Sequence, residues 1–256
     1  MTNSDKEIER ARYDEHARLQ MAGITSEALG PLDSQFVISY LRAPYSFYEE
    51  KIRELVRPSH CVLELGAGTG FHAGTLIATG AQVIASDISV NALALLRKRF
   101  QGSIGNLRTE VADIEDLPFK SSSFDVVVSA GCLSYGDPHL VVAEIFRVLR
   151  PEGLMISVDS LNHNPVYRMN RWMQYIRGQR TTSTLKYMPT LDRINALGLR
   201  FRDVNIRYFG AATFAMPILA TLAGANVAAA ASNQIDHLVG AKRSAFKFVF
   251  VGKGFS

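Results

Sequence analysis

Cysteine is scarce in this chain. Only Cys61 and Cys132 occur among 256 residues, both inside apolar runs. They read as buried reduced thiols, so neither a disulfide framework nor a zinc or other metal site is supported. Strong charge is missing as well. Lys and Arg number 28 against 24 Asp and Glu, a formal net charge of +4, which on its own implies no nucleic-acid partner. The opening stretch MTNSDKEIER is polar and slightly acidic, without the basic and apolar segments of a targeting peptide, and the expected location is the cytoplasm. No internal repeat, low-complexity tract or linker-like run is present. One uncharged segment is long, Ala211 to Ser232. Its alanine content, with Pro217, Gly224 and Asn226 inside it, leaves little drive for insertion, so no span is expected. It reads as helix that is buried or faces a partner, with peripheral membrane contact or a second copy as alternatives.

What the sequence does have is an alternation of apolar strand runs with helical patterns. The runs are CVLEL (61–65), QVIAS (82–86), RTEVA (108–112), DVVVSA (125–130) and LMISVD (154–159). Helices are predicted near 70–79, 89–100 and 138–150, with Ser89 and the Asp137-Pro138 pair as start signals. Upstream, Ser4 to Glu7 has the capping-box pattern of a helix start, and SFYEEKIRELV predicts a second helix. Two late strand-like runs, 200–209 and 245–253, are expected to pair antiparallel at an edge. The fold class is α/β, a Rossmann-like, mostly parallel seven-stranded sheet with an antiparallel edge strand and helices on both faces.

The chemistry concentrates in CVLELGAGTGFHAG, Cys61 to Gly74. A glycine turn between strand and helix suits close backbone approach to a ligand and is a common anion site. A dinucleotide fingerprint requires a small residue where this chain has Phe71, and Glu64 at the strand end repels a pyrophosphate while suiting a cationic amino-acid ligand. Asp87, 21 residues after Gly66, ends the second strand.

This constellation resembles the class I S-adenosylmethionine-dependent methyltransferases, strongly over residues 58–160, in the subgroup of small-molecule, methyltransferase 11-like enzymes. The acidic residue followed by G-x-G-x-G matches Glu64, Gly66, Gly68 and Gly70. VADIEDLPF matches the adenine-binding segment, FDVVVSAGCLSY the fourth strand, and EIFRVLRPEGLMIS the turn into the fifth, with Glu152 in place of a usual glycine. The resemblance implies S-adenosyl-L-methionine as cofactor. The glycine turn, with Ala67, would pass beneath its methionine part, and Asp87, beside Ile88, would hold the ribose. Asp113 would accept from the adenine amino group with Ile114 on the ring. Ala130, Tyr135 and a lid tyrosine, Tyr13, would complete the wall. It also implies a domain over 58–256, with acceptor-side insertions near 161–190 and 210–244, preceded by an N-terminal helical lid over 1–57.

The acceptor is less legible. Ligands of open parallel sheets sit beyond the strands' carboxyl ends, which favours His163 and His139 as candidate general bases. His72, beside the glycine turn, is left open between the two ligands and neither. From Val166 to Phe209 nine Lys or Arg face only Asp192 and Asp203, interleaved with Tyr167, Trp172 and Tyr175. Arg171, Arg177 and Arg180 are therefore candidate contacts to a phosphate-bearing or glycan acceptor, with a solvated helix face as the plainer alternative. A weaker resemblance is to methyltransferases of bacterial surface-polysaccharide clusters. The expected reaction is O-methylation of a small molecule or glycan. RNA methylation is a weaker alternative because the basic run lacks a recognisable RNA-binding module, and a silent cofactor-binding regulatory subunit is another.

Overall fold

A computed structural model describes residues 1–23, 34–103, 105–177, 181–239 and 242–255. Seven strands form one sheet: β1 (Cys61–Leu65), β2 (Gln82–Asp87), β3 (Leu107–Val111), β4 (Phe124–Ala130), β5 (Leu149–Ser160), β6 (Asp203–Phe209) and β7 (Lys247–Lys253). Their spatial order is β3-β2-β1-β4-β5-β7-β6. The first five are parallel, and β7 runs antiparallel to both β5 and β6. The antiparallel strand therefore lies one place inside the edge, and β6 forms the edge itself. Because β5 and β6 both oppose β7, they end on the same side of the sheet.

The helices are α1 (Asn3–Met21), α2 (Ser39–Leu55), α3 (Ala73–Ile77), α4 (Val90–Arg99), α5 (Pro138–Val148), α6 (Pro165–Ile176), α7 (Thr182–Lys186), α8 (Leu191–Gly198), α9 (Met216–Ala223) and α10 (Ala225–Val239). Alternation along each strand sends neighbouring side chains to opposite faces. Val62, Val83, Val126 and Ile156 pack with Tyr48 and Ile52 of α2 and with Leu93 and Leu96 of α4. Leu63, Leu65, Val127 and Met155 pack on the other face with Ile145 and Val148 of α5 and Ile194 of α8. Two such faces bury apolar surface on both sides of a parallel sheet, as its geometry requires.

Three sequence expectations are corrected. The cap of α1 is Thr2, whose side chain accepts from the Asp5 N–H at 3.2 Å, rather than Ser4. The helix predicted near 70–79 shortens to α3, because the glycine turn holds the chain out of helix as far as His72. Helix α2 falls inside the stretch 1–57 expected to form a lid, yet Tyr48 and Ile52 are fully buried against the sheet. It belongs to the body. The 211–232 segment forms α9 and most of α10, which pack on each other and, through α10, on α2. Among the described residues, no helix is long and apolar enough to cross a membrane.

Candidate active site

The carboxyl ends of β1, β2 and β4 open into a cavity of about 380 Å³. Gly66 begins its floor at φ 63°. A Cβ there would lie 2.5 Å from the Cβ of Cys132, so only glycine lets the turn pass this close to the loop after β4. Gly68, at φ 54°, has nothing within 4 Å of such a Cβ, because that side faces the cavity. Its N–H donates to Asp87 Oδ2 at 2.8 Å, and the Ser89 N–H donates to Asp87 Oδ1 at 2.8 Å. One carboxylate thus locks the glycine turn to the start of α4. Burial pushes the Asp87 carboxyl up, and these backbone donors pull it back.

Glu64 lies on the same floor, buried, with its Oε2 lacking a hydrogen-bond partner among the described residues. Burial, then the nearby Asp87 carboxylate, push its carboxyl up to about 8. A buried acceptor left unmet is costly, and an ammonium group entering the cavity would satisfy it. This is the fit expected for the amino-acid part of S-adenosylmethionine. Of the other positions singled out in sequence, Ala67, Ile88, Ala130 and Ile114 line the same cavity. Gly70 is not on the lining. At φ 87°, a Cβ on it would meet Leu96 Cγ at 2.9 Å, so it sets how closely α4 packs under the turn.

Helix α1 lies over the opening. Tyr13 and Tyr135 both line the cavity and join hydroxyl to hydroxyl at 2.7 Å, with their rings edge to face. Asp14 accepts from Ser89 Oγ at 2.5 Å and from the Asn91 N–H at 3.1 Å, fixing α1 to the start of α4. Lys6 donates to Asp113 Oδ2 at 2.5 Å and lies 2.5 Å from Glu115 Oε2. Asp113 also accepts from the Glu115 N–H at 2.9 Å. In this conformation both of its oxygens are engaged within the chain, so an adenine amino group would have to share Oδ2 with Lys6.

The histidines separate cleanly. His163 Nε2 accepts from the Leu191 N–H at 2.9 Å at the start of α8, and its side chain is not on the cavity wall. A lone pair used this way holds a helix end and is not free to take a proton, which corrects the expectation of His163 as base. His139 is exposed in the first turn of α5, also off the cavity. His72, by contrast, lines the cavity while buried. Its Nδ1 is 3.0 Å from Glu49 Oε1. Tyr45 stacks on the imidazole at 5.7 Å and Tyr48 and Phe71 meet it edge-on. Glu49 also accepts from the Ser34 N–H and hydroxyl at 2.9 and 2.7 Å. Burial opposes its ionisation, but the hydrogen bonds from His72 and Ser34 outweigh it and hold the carboxyl below its usual range. With Nδ1 on a carboxylate, Nε2 is the nitrogen left for an acceptor. Sequence reasoning missed Glu49. The available signal is its position among Tyr45, Tyr48 and Ile52, where helix spacing puts a lone carboxylate on the buried stripe of α2.

The basic acceptor-side residues are elsewhere. Arg171 Nε donates to Tyr167 Oη at 2.8 Å, and Tyr167 Oη donates to Ser160 Oγ at 2.9 Å. Lys247, buried, also donates to Ser160 Oγ at 3.1 Å, and its ammonium sits 5.0 Å from the Tyr45 ring centroid. Arg177 is exposed at the end of α6, and Arg180 lies outside the described residues. Neither Arg171 nor Arg177 lines the cavity that holds Glu64 and His72.

A mostly parallel sheet with one inserted antiparallel strand, and with Glu64, the glycine turn and Asp87 at its carboxyl end, has the Rossmann-like class I S-adenosylmethionine-dependent methyltransferase fold. Residues 63–157, less than half of the chain, match the family model described as a methyltransferase domain, of the methyltransferase 11 type. The demethylmenaquinone methyltransferase of Clavibacter sepedonicus is 38% identical over 99 residues, 38% of this chain and 40% of that protein. The ubiquinone/menaquinone biosynthesis C-methyltransferase of Pasteurella multocida is 34% identical over 110 residues, 41% of each. The matches thus span less than half the length of these curated relatives. Among solved structures, the geranyl diphosphate C-methyltransferase of Streptomyces coelicolor, determined with Mg2+, geranyl diphosphate and S-adenosyl-L-homocysteine, aligns with a TM-score of 0.65 at 16% identity, over 100% of this chain and 98% of that one. The phosphoethanolamine N-methyltransferase 2 of Haemonchus contortus, determined with S-adenosyl-L-methionine, aligns at 0.58 and 18% identity, over 82% of this chain and 52% of that one. At these identities the likeness is one of fold.

Proposed function

We propose that the protein is a methyltransferase that takes the methyl group of S-adenosylmethionine and places it on a small, ring-bearing acceptor of hydroquinone type. The carrying observation is that one cavity is lined both by Glu64, whose Oε2 is unmet, and by His72, whose Nδ1 is held by the buried Glu49 carboxylate. The first fits a cationic amino-acid ligand, and the second is built to remove a proton. When bound, S-adenosylmethionine supplies an electrophilic methyl on a sulfonium. What remains for the protein is to hold, dry and deprotonate the acceptor.

His72 Nε2 takes the hydroxyl proton, and the ionised Glu49 stabilises the imidazolium that results. Phe71 and Tyr45, on the cavity wall around His72, offer ring faces and edges to a flat acceptor. Removing that proton spreads negative charge onto the ring carbon beside the hydroxyl, which makes carbon as well as oxygen a competent nucleophile; methylation at carbon is completed when that carbon's hydrogen leaves as a proton and the oxygen regains one. The curated relatives, one of which acts on demethylmenaquinone and the other of which is a C-methyltransferase of ubiquinone and menaquinone biosynthesis, favour carbon. We assign α1 as the lid, since Tyr13, Asp14 and Lys6 tie it across the opening.

The test is transfer of labelled methyl from S-adenosylmethionine to demethylmenaquinol by the purified protein, with the product identified by mass. A product heavier by one methylene, lost in His72→Asn while cofactor binding persists, is expected. Cofactor binding without transfer to a quinol would overturn the acceptor reading. Transfer undiminished in His72→Asn would overturn the base.

A further inference from the structure

Helix α6 turns its apolar stripe outward. Met169, Trp172, Met173 and Ile176 recur at the spacing of one helix face, and they are 56, 57, 37 and 60% exposed. A helix of a soluble body ordinarily buries such a stripe. Its inner side is pinned instead by polar contacts. Asn164 caps the helix by accepting from the Tyr167 N–H at 3.1 Å and donates to the Ser244 carbonyl at 2.9 Å. Tyr167 and Arg171 continue that inner line to Ser160 of β5. The helix is held at the carboxyl end of the sheet, the end at which the cavity opens.

The charge around the stripe has one sign. Residues 160–191 contain Arg168, Arg171, Arg177, Arg180 and Lys186 and no Asp or Glu. Beside α6, a second cavity of about 330 Å³ mixes Arg168 and Arg171 with Trp172 and Met188 on its walls. Guanidinium groups next to apolar walls suit an anion that carries hydrocarbon. The segment after β6 leaves the same end of the sheet, exposes Phe214, Ile218 and Leu222, and has no acidic residue between Asp203 and Asp236.

We propose that α6 is a membrane-docking helix that lies in the surface of an anionic phospholipid bilayer. Met169, Trp172, Met173 and Ile176 enter among the acyl chains, and Arg168, Arg177 and Lys186 meet the lipid phosphates. The pattern excludes the other occupants on physical grounds. A two-fold contact with a second copy would bring the same cations against themselves. A nucleic-acid backbone would satisfy the arginines but leave the apolar stripe in water. Vesicle binding by this helix does not depend on which acceptor the enzyme methylates.

Trp172 is the chain's only tryptophan, so its fluorescence reports on α6 alone. The full chain is titrated with phosphatidylglycerol/phosphatidylcholine vesicles, phosphatidylcholine vesicles, inorganic phosphate and bulk RNA. A blue shift with the anionic vesicles only, quenched by brominated acyl chains and weakened by salt, is expected. Replacing Met169 and Ile176 by glutamate should weaken vesicle binding by about tenfold or more, while stabilisation by S-adenosylhomocysteine is retained and shows that the fold is intact. Absence of a shift with anionic vesicles overturns the proposal. So does a shift without vesicles that grows with protein concentration, one produced by RNA alone, or undiminished vesicle binding by the double variant. Loss of S-adenosylhomocysteine binding by the wild-type chain would count against the methyltransferase reading and not against docking.

Discussion

Replacing Glu64 by glutamine changes one atom on the cavity floor and should move stability and cofactor affinity in opposite directions. Burial raises the Glu64 carboxyl from 4.5 to about 8. The folded chain therefore keeps a proton between those values that the unfolded chain has released, so this group's contribution to stability falls as pH rises through the window and levels off above it. At pH 7 the interval above 4.5 is 2.5 units, which at about 1.4 kcal/mol per unit is a burden of about 3 kcal/mol. Glutamine does not titrate. The variant's melting temperature should match the wild type near pH 5 and exceed it by roughly 6–12 °C at pH 7, given about 2–4 °C per kcal/mol at this chain length. Cofactor binding should respond the other way. Losing a charged partner for the ammonium costs about 1.5–3 kcal/mol. Wild-type affinity should also rise by about tenfold per unit between pH 6 and 8, as the proton to be displaced becomes easier to lose, and the variant's should stay flat. Thermal scanning from pH 5 to 8, with and without S-adenosylhomocysteine, reads both effects. A melting difference that does not change with pH would refute the reasoning, because Glu64 would then be ionised or solvated throughout.

Asp87→Ala should weaken cofactor binding by about 1.5–3 kcal/mol, measured by calorimetry. It should also lower the melting temperature, because the Gly68 and Ser89 N–H groups lose their shared acceptor. Gly66→Ala pushes a Cβ to 2.5 Å from Cys132 Cβ at φ 63°, so it should destabilise the chain by about 1–3 kcal/mol and abolish cofactor binding, with denaturant unfolding as the check. His163→Ala should cost about 1 kcal/mol through the lost bond to the Leu191 N–H and leave turnover unchanged. A His163→Ala enzyme that folds but does not turn over would restore that residue as the base.

The sheet was legible because its strands are apolar runs set between helical patterns, and β1 matches CVLEL residue for residue. The place of β7 was not. Nothing in residues 245–253 says that they insert between β5 and β6. That choice depends on Phe248 and Phe250 finding the face already lined by Ile145 and Ile194, a contact between distant parts of the chain. The Ala211 to Ser232 segment reads in sequence as apolar helix without boundaries, because a run of small residues has little periodicity to mark an inner face. Gly224, at φ 91°, divides it into α9 and α10.

The two halves of the candidate site differ in legibility for one physical reason. The cofactor half is built by successive strand ends and turns, so Glu64, the glycines and Asp87 recur at readable spacings in the sequence. The acceptor half is assembled across the chain. Glu49 comes from a helix before the first strand and His72 from the turn after it. Proximity to a strand's carboxyl end therefore pointed to His163, a residue at the right end of the sheet whose nitrogen is spent on a helix terminus. What distinguishes His72 is its carboxylate partner on the buried stripe of α2. The burial of Tyr48 and Ile52 against the sheet is consistent with the proposed function, in which α2 holds the partner of His72 in place and α1 acts as the lid. Opening of α1 should therefore admit cofactor without disturbing the His72–Glu49 pair, and amide exchange should be faster across residues 3–21 than across 45–52. Equal protection of the two segments would mean that they move together.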